Sequence, residues 1–208
     1  MKLKDLINTL HRYRGITANS KDVKDNFIFV AVNGTSVDGR DFIPEAIKRG
    51  AKIIVSGGYK ASERGVRFIT VKDTRRALAK LAAEFYGRPS RKIKVVGVTG
   101  TNGKTTVTYL IEAILKEAGR TPAVIGTINC RFKDRVMPAI NTTPGPIQLQ
   151  SLLARMQKGS VDYAVMEVSS HALDQQRTGG IDFHSAIFTN LTQDHLDYHL
   201  DLENYFLA

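Results

Sequence analysis

The stretch from Ile93 to Thr106, IKVVGVTGTNGKTT, decides the fold of this 208-residue chain. It begins with the strand-length apolar run 93–98 and passes through a glycine-rich turn. A segment at helical spacing follows, with its predicted apolar face formed by Val107, Leu110, Ile111, Ile114, Leu115 and Ala118. Strand, glycine-rich loop and helix in this order form a phosphate-binding unit. The sequence therefore predicts an α/β fold with a mainly parallel sheet and crossover helices.

The turn itself carries the residue types that bind a magnesium-bound triphosphate. Glycines let backbone N–H groups approach phosphate oxygens, and the following helix adds its positive end. Lys104 can reach the β and γ phosphates, and the Thr105 hydroxyl is placed to coordinate Mg²⁺. Val98 stands where the general P-loop pattern has a glycine, so the match to that pattern is incomplete. We predict ATP binding by Gly100, Thr101, Asn102, Gly103, Lys104, Thr105 and Thr106.

The remaining segments indicate two domains. In the first, three short strands (NFIFVAV, AKIIVSG, VRFITV) alternate with helical stretches, one of them capped by Asp73 and ended by Gly87. We predict a small α/β domain over 1–88, a basic linker over 89–92 and a second domain over 93–208. The second adds the strands PAVIGTI, DYAVMEVS and SAIFTNL and a helix from about Pro146 to Gln157. Because the chain stops inside an apparent helix, HLDLENYFLA, we expect a fragment of a longer protein.

Composition narrows the class of protein. The chain is 42% hydrophobic and 24% charged, which suits a globular protein. Its formal charge of +10 is concentrated in residues 1–92, where 20 Lys and Arg face 9 Asp and Glu, against 10 and 11 afterwards. Such a surface can attract a nucleotide diphosphate, nucleic acid or no particular ligand. Because no RNA-binding aromatic signature accompanies it, a solvated surface is the default interpretation, followed by a nucleotide ligand. The polar start is no signal peptide, so we expect the cytoplasm, and a single cysteine, Cys130, is predicted to be buried or idle.

Three motifs follow the loop in order: NTTPG (141–145), MEVSSHALDQQR (166–177) and FTNLTQDHLDYH (188–199). With the loop and two first-domain stretches, NSK at Ser20 and NGTSVDGRDFIPEAI, they resemble the Mur ligase family, which joins amino acids to UDP-N-acetylmuramic acid peptides. The resemblance implies an N-terminal UDP-sugar-binding domain followed by an incomplete P-loop ATPase-type sheet. It also implies an ATP-dependent amide ligase of cytoplasmic peptidoglycan precursor synthesis.

The motifs resemble those of the branch of the family that adds the third amino acid to UDP-N-acetylmuramoyl-L-Ala-D-Glu. The resemblance implies that a carboxylate of this substrate attacks the γ-phosphate of ATP. An amino acid, diaminopimelate or lysine, then displaces phosphate from the acyl phosphate to form an amide. The implied cofactors are ATP and Mg²⁺, and neither nucleic acid nor a membrane is an expected partner.

Site residues follow from the resemblance position by position. The catalytic residues would be Lys104, Glu167 and His195, and the metal-associated ones Thr105, Glu167 and His195. Contacts to the UDP-linked dipeptide would come from Ser20, Thr35, Ser36, Val37, Asn141, Thr142, Thr143, Ser169, Gln175 and Arg177. A lysine carrying a carbamate is expected just after Ala208, and the domain that binds the incoming amino acid would lie outside this chain.

Ordinary structural roles compete with several of these assignments. The two threonines of NTTPG could be an N-cap pair, Arg177 a surface arginine, and Ser20 and Ser36 loop caps. His195 and His199, four residues apart on a possible helix, could suggest zinc, but no third ligand is evident. A capping or surface role is therefore expected for His199.

Two other functions remain open from the sequence. Folylpolyglutamate synthetase shares the phosphate loop, although the basic leading domain and NTTPG tell against it. A P-loop nucleotide switch or nucleic-acid-binding ATPase is motivated by the basic charge of the first domain.

Overall fold

The computed structural model describes residues 2–34, 37–59 and 62–208, and the chain divides into two compact units, residues 1–87 and 88–208. Each unit is an α/β structure built on a mostly parallel sheet. The predicted fold class is therefore confirmed for both parts of the chain.

The first unit has a four-stranded parallel sheet in the order β1-β2-β3-β4. The three predicted strands are present, and the sequence missed β1 because it is only three residues long. Asp73 caps α3 as predicted, since its side chain accepts a hydrogen bond from the Arg76 N–H. The elements are β1 Gly15–Thr17, β2 Phe27–Val30, β3 Ala51–Ser56, β4 Arg67–Thr70, α1 Leu3–Ile7, α2 Ile43–Lys48 and α3 Thr74–Phe85, with 3₁₀ turns at Leu10–Arg12, Ser20–Asp22 and Gly39–Phe42.

The second unit has a six-stranded sheet in the order β10-β5-β9-β6-β7-β8. Strands β10, β5, β9 and β6 run parallel as predicted, whereas β7 and β8 form an antiparallel hairpin that the sequence reading missed. The elements are β5 Lys94–Thr99, β6 Pro122–Ile125, β7 Asn129–Phe132, β8 Arg135–Pro138, β9 Tyr163–Glu167, β10 Phe183–Phe188, α4 Lys104–Glu117, α5 Pro146–Lys158, α6 Ser170–Asp174, α7 Leu196–His199 and α8 Leu202–Leu207, with a 3₁₀ turn at Pro89–Arg91.

The apolar face predicted for α4 is partly wrong. Val107, Ile111 and Leu115 pack on the sheet, but Leu110 and Ile114 are 58% and 67% exposed. The helix instead buries a neighbouring polar pair, Thr108 and Glu112. The Thr108 hydroxyl donates to the Thr105 carbonyl, and Glu112 forms ion pairs with Arg131 and Lys116. Because these partners satisfy both polar groups, the helix can turn this side toward the protein.

Helix α5 covers a large apolar cluster that includes Leu149, Leu153 and Met156, together with Cys130. The cysteine is buried, as expected, and burial raises its pKa to about 11. A thiol held in the protonated form is a poor nucleophile, which agrees with a packing role.

Residues 89–92, predicted as the linker, lie in the second unit, where Pro89 and Ser90 are buried. No helix within the described ranges is long and apolar enough to span a bilayer.

In the second sheet, Val98 on β5 pairs with Glu167 on β9. The loops that leave these parallel strands therefore emerge side by side, the usual position of a ligand site in such sheets.

Candidate active site

A cavity of about 500 Å³ lies in the second unit at this edge of the sheet. It gathers the phosphate loop, Glu167, the NTTPG loop and one histidine from each of the second and third motifs, His171 and His195. Of the predicted residues in this unit, Gly100 and Gln175 do not line it. The lining consists of residues 101–106, Thr127, residues 141–143, Glu167, Ser169, His171, Arg177 and His195.

The phosphate loop is held from outside by the segment that follows β10. Gly100 has a φ of +128°, and a Cβ there would lie 2.2 Å from Thr189 Oγ1. The Asn102 N–H donates to Asn190 Oδ1 at 3.0 Å, and its carbonyl accepts from Thr189 Oγ1 at 2.7 Å. Gly103, at φ +84°, is the N-cap of α4, and the first N–H groups of that helix have no partner within the helix itself. Sequence and packing thus present these donors at the cavity.

Lys104 lines the cavity while its ammonium contacts its own loop. Nζ donates to the Gly100 carbonyl at 2.6 Å and to the Thr101 carbonyl at 2.8 Å. Burial lowers its pKa, opposed by the attraction of Glu167 and Asp194. A phosphate in the cavity would offer the ammonium a full negative charge in place of carbonyl dipoles, so Lys104 is poised to exchange partners.

Glu167, at the end of β9, is 1% exposed and accepts hydrogen bonds at both carboxylate oxygens. Its Oε2 accepts from Thr105 Oγ1 at 2.8 Å and from Thr127 Oγ1 at 2.9 Å, and Oε1 accepts from the Thr127 N–H at 3.0 Å. A Cβ on Gly126 would lie 2.1 Å from Oε1. The close approach of the 126–127 backbone therefore fixes this carboxylate beside the phosphate loop.

Thr105 and Glu167 could hold a magnesium ion, which would replace the hydrogen bond between their oxygens. Neighbouring ligands of an octahedral Mg²⁺ are about 2.9 Å apart when its bonds are 2.0–2.1 Å long. The observed separation between Thr105 Oγ1 and Glu167 Oε2 is 2.8 Å, and both are the hard oxygen donors that this ion prefers. His195 lines the same cavity, but its ring offers nitrogen. Among the residues that the structure describes, no group of three His, Cys, Asp or Glu side chains could hold a metal ion.

The two threonines of NTTPG have different roles. Thr143 is fully buried; its hydroxyl donates to the Glu167 carbonyl at 2.9 Å and accepts from the Ser169 N–H at 3.0 Å. Thr142 is only half-buried and its Oγ1 lies 3.0 Å from Thr127 Oγ1. Asn141 is exposed at the cavity. The hydroxyl of Thr143 is thus engaged within the fold, whereas Thr142 and Asn141 remain accessible to a ligand.

Arg177 lines the cavity, and its guanidinium is held by hydrogen bonds within the fold. Its Nη1 donates to the Thr143 carbonyl at 3.1 Å, while Nε and Nη2 donate to Gln175 Oε1 at 3.2 and 2.8 Å. Gln175 therefore supports the guanidinium from outside the cavity. The Ser169 hydroxyl accepts from the Ala172 N–H at 3.3 Å as the N-cap of α6.

Three histidines and two tyrosines form an aromatic cluster beside the cavity. His171 lies 4.9 Å from His195 between ring centroids, and burial first, then the two neighbouring histidines, lower its pKa. His199 is 6% exposed, its Nε2 lies 2.9 Å from Ser170 Oγ and its ring stacks on Tyr205. The expected surface or capping role of His199 is therefore wrong, because aromatic packing and one hydrogen bond bury its ring.

The residues predicted to bind the uridine diphosphate belong to the first unit. Ser20 is 4% exposed, and its hydroxyl donates to Glu45 Oε2 at 2.5 Å. Val37 is 54% exposed, and its carbonyl accepts a hydrogen bond from the Gly34 N–H. Thr35 and Ser36 lie outside the described residues, and their roles stay predictions.

Sequence reasoning missed Gly126, Thr127 and His171 as parts of the site. The first two follow β6, the strand that pairs with β9, so their position in GTIN was a usable signal. His171 stood inside the quoted motif MEVSSHALDQQR. Its place at the cavity depends on the turn into α6, which the pattern of residue types does not specify.

Comparison with known families identifies both units. The Mur ligase middle domain matches residues 98–208, and the family described as Mur ligase family, catalytic domain, matches residues 12–86. Together these matches include the phosphate loop and every lining residue of the cavity.

Individual relatives agree with the family matches. The chain is 48% identical over 204 residues to a UDP-N-acetylmuramoyl-L-alanyl-D-glutamate–2,6-diaminopimelate ligase of Aquifex aeolicus, and 45% identical over 206 residues to the enzyme of that name in Fusobacterium nucleatum. These alignments cover 98% and 99% of this chain but 42% of each relative. The chain therefore spans less than half the length of these relatives.

Solved structures show the same likeness. A structure of a ligase with that name superposes with a TM-score of 0.80 at 31% identity, over 93% of this chain and 39% of the other. A MurF ligase from Thermotoga maritima in complex with ADP superposes with a TM-score of 0.61 at 26% identity, over 95% of this chain and 42% of the other. Sequence, fold and the cavity at the phosphate loop lead to one conclusion: the chain belongs to the Mur ligase family.

Proposed function

We propose that this chain supplies the UDP-sugar-binding and ATP-binding parts of an amide ligase of peptidoglycan precursor synthesis in the cytoplasm. The reaction would join 2,6-diaminopimelate to UDP-N-acetylmuramoyl-L-Ala-D-Glu at the expense of ATP. The names of the similar ligases support the choice of substrates. The single observation that carries the proposal is one cavity that contains Lys104, Glu167 and Arg177 together.

The chemistry has to overcome repulsion between two anions. A substrate carboxylate must approach the γ-phosphate of ATP, and both carry negative charge. The cavity supplies a cation from each side, the Lys104 ammonium on the phosphate loop and the Arg177 guanidinium near the NTTPG loop. Their positions allow one to bind phosphate and the other to bind the carboxylate, so that both reactants are held in the same space.

The phosphate loop would hold the β and γ phosphates through the N–H groups at the start of α4 and through Lys104. Thr105 and Glu167 would hold Mg²⁺, which supplies positive charge next to the transferred phosphoryl group when bound. Thr127 keeps the Glu167 carboxylate in place with two hydrogen bonds. Thr142 and Asn141, accessible at the cavity, would contact the muramoyl-peptide part of the substrate.

Calorimetric titration of the chain tests this proposal. We expect binding of MgATP and, separately, of UDP-N-acetylmuramoyl-L-Ala-D-Glu, with no comparable heat from single-stranded DNA. The DNA arm matters because the first 92 residues carry the basic excess. Tight DNA binding with no response to the sugar nucleotide would contradict the proposal.

A free UDP arm separates the two parts of the ligand. Binding of the UDP-linked dipeptide that is weakened by Arg177→Ala, with unchanged binding of UDP, would assign the peptide end to the cavity of the second unit. Equal losses for both ligands would instead indicate damage to the fold.

A further inference from the structure

A buried tyrosine near the end of the chain contacts the phosphate loop. Tyr205, on α8, is 6% exposed, and its hydroxyl lies 3.1 Å from Thr101 Oγ1. Thr101 is also 6% exposed. Water can therefore do little to replace this hydrogen bond if either hydroxyl is removed.

Hydrogen-bond accounting gives the contact a direction. The Thr101 hydroxyl has one proton and can accept two bonds. It accepts from the Thr192 N–H at 3.0 Å and can donate to the Thr192 carbonyl at 3.3 Å. The remaining acceptor position suits donation by the Tyr205 hydroxyl, which completes the set.

Thr101 also supplies one of the two carbonyls, with Gly100, that accept from Lys104. Its carbonyl accepts from Lys104 Nζ at 2.8 Å, and its own N–H donates to the Asn190 carbonyl at 2.9 Å. Any shift of Thr101 therefore moves an acceptor of the ammonium that we assign to phosphate binding.

The ring of Tyr205 is fixed independently of its hydroxyl. It stacks on His199 with ring centroids 5.0 Å apart and an interplanar angle of 16°. His199 is itself tied to Ser170 at the start of α6. Phenylalanine at position 205 would keep this packing and lose only the hydrogen bond to the loop.

We propose that Tyr205 is a positioning residue for the nucleotide: its hydroxyl fixes Thr101, and through Thr101 the loop conformation that holds Lys104 ready for phosphate. The inference rests on the proposed function, because it assigns ATP to this loop. It adds α8 to the elements that shape the nucleotide site, although Tyr205 does not itself line the cavity.

The test compares Tyr205→Phe with the wild-type chain in MgATP binding by calorimetry. We expect affinity to fall about three- to tenfold, the effect of one lost buried hydrogen bond. Hydrogen exchange of residues 99–106 in the ligand-free chain should become faster, with little change elsewhere. Tyr163→Phe is the matched control. The Tyr163 hydroxyl, at the start of β9, contacts Lys94 at the start of β5, away from the loop.

Two Thr101 variants decide whether the effect passes through that residue. In a Thr101→Val background, which lacks the partner hydroxyl, Tyr205→Phe should cause no further loss. In a Thr101→Ser background, which keeps it, the loss should remain. An unchanged affinity and exchange rate in Tyr205→Phe, or an equal loss in the valine background, would overturn the inference.

Failure of the proposed function has a different signature. A wild-type chain that does not bind MgATP would defeat the assignment of ATP to the cavity. Exchange in the ligand-free chain would still decide whether Tyr205 holds the loop.

Discussion

Two walls of the cavity use their motif residues differently. We call residues 101–106 the phosphate wall, and residues 141–143 with Ser169 and Arg177 the acceptor wall. On the phosphate wall, Lys104 and the start of α4 line the cavity, and Thr189 and Asn190 hold the loop through Asn102. On the acceptor wall, the hydroxyls of Thr143 and Ser169 form hydrogen bonds within the protein. Membership of a motif therefore does not by itself distinguish a ligand contact from a structural support.

The largest effect should come from removing the cation of the phosphate wall. We expect Lys104→Ala to weaken MgATP binding by about 100-fold, because a charged donor to phosphate is lost in a partly buried site. Binding of the UDP-linked substrate by the first unit should stay largely intact. Titration calorimetry with each ligand measures both affinities.

Lys94→Ala is the matched control for that variant. Lys94 lies at the other end of β5, is exposed and contacts Tyr163. It should leave MgATP binding within about twofold, as for other surface substitutions. Parallel losses of both ligands in Lys104→Ala would argue against a separate nucleotide site in the second unit.

The next largest effect should come from Gly126 and Glu167, which belong to neither wall. Alanine at Gly126 would place a Cβ 2.1 Å from Glu167 Oε1 and push the carboxylate away from Thr105. We expect Mn²⁺ binding in the presence of ATP, followed by electron paramagnetic resonance, to weaken by roughly tenfold or more. Gly145→Ala should leave it unchanged, since a Cβ there meets nothing within 4 Å. Equal Mn²⁺ binding in both variants would remove Glu167 from the metal site.

The sequence predicted the strand, turn and helix of the phosphate wall because this signal is local. A strand, a glycine-rich turn and a helix follow one another without interruption, and Lys104 and Thr105 occupy fixed places in that unit. Long-range contacts were less visible. Nothing in the residues around Thr101 indicates that Tyr205, 104 positions later, bonds to its hydroxyl.

The errors in the fold have a similar origin. The predicted apolar face of α4 is partly wrong because Glu112 is buried there. Its burial depends on the ion pair with Arg131, which lies on β7, a strand that was not predicted. Likewise, His199 is buried by Tyr205 and Ser170, both outside its own helix. Periodicity describes an element alone, whereas burial of polar groups depends on partners elsewhere in the chain.

The acceptor wall predicts opposite results for its two threonines. Thr143→Val should lower the free energy of unfolding by about 1–3 kcal/mol, because the Ser169 N–H and the Glu167 carbonyl would lose a buried partner. Thr142→Val should change stability by no more than about 0.5 kcal/mol. It should instead weaken binding of the UDP-linked dipeptide. Chemical denaturation and calorimetry separate the two effects, and the reverse pattern would exchange the roles of the two residues.

The smallest effect should come from the support behind the acceptor wall. Gln175 holds two donors of Arg177 through a single oxygen and does not line the cavity. Gln175→Ala should therefore weaken binding of the UDP-linked dipeptide only about two- to threefold, since Arg177 keeps its hydrogen bond to the Thr143 carbonyl. Arg177→Ala should weaken it by about tenfold or more, because the charge itself is lost. If Gln175→Ala matched Arg177→Ala, glutamine would be a direct ligand contact, and only a combined variant with a non-additive loss would restore its supporting role.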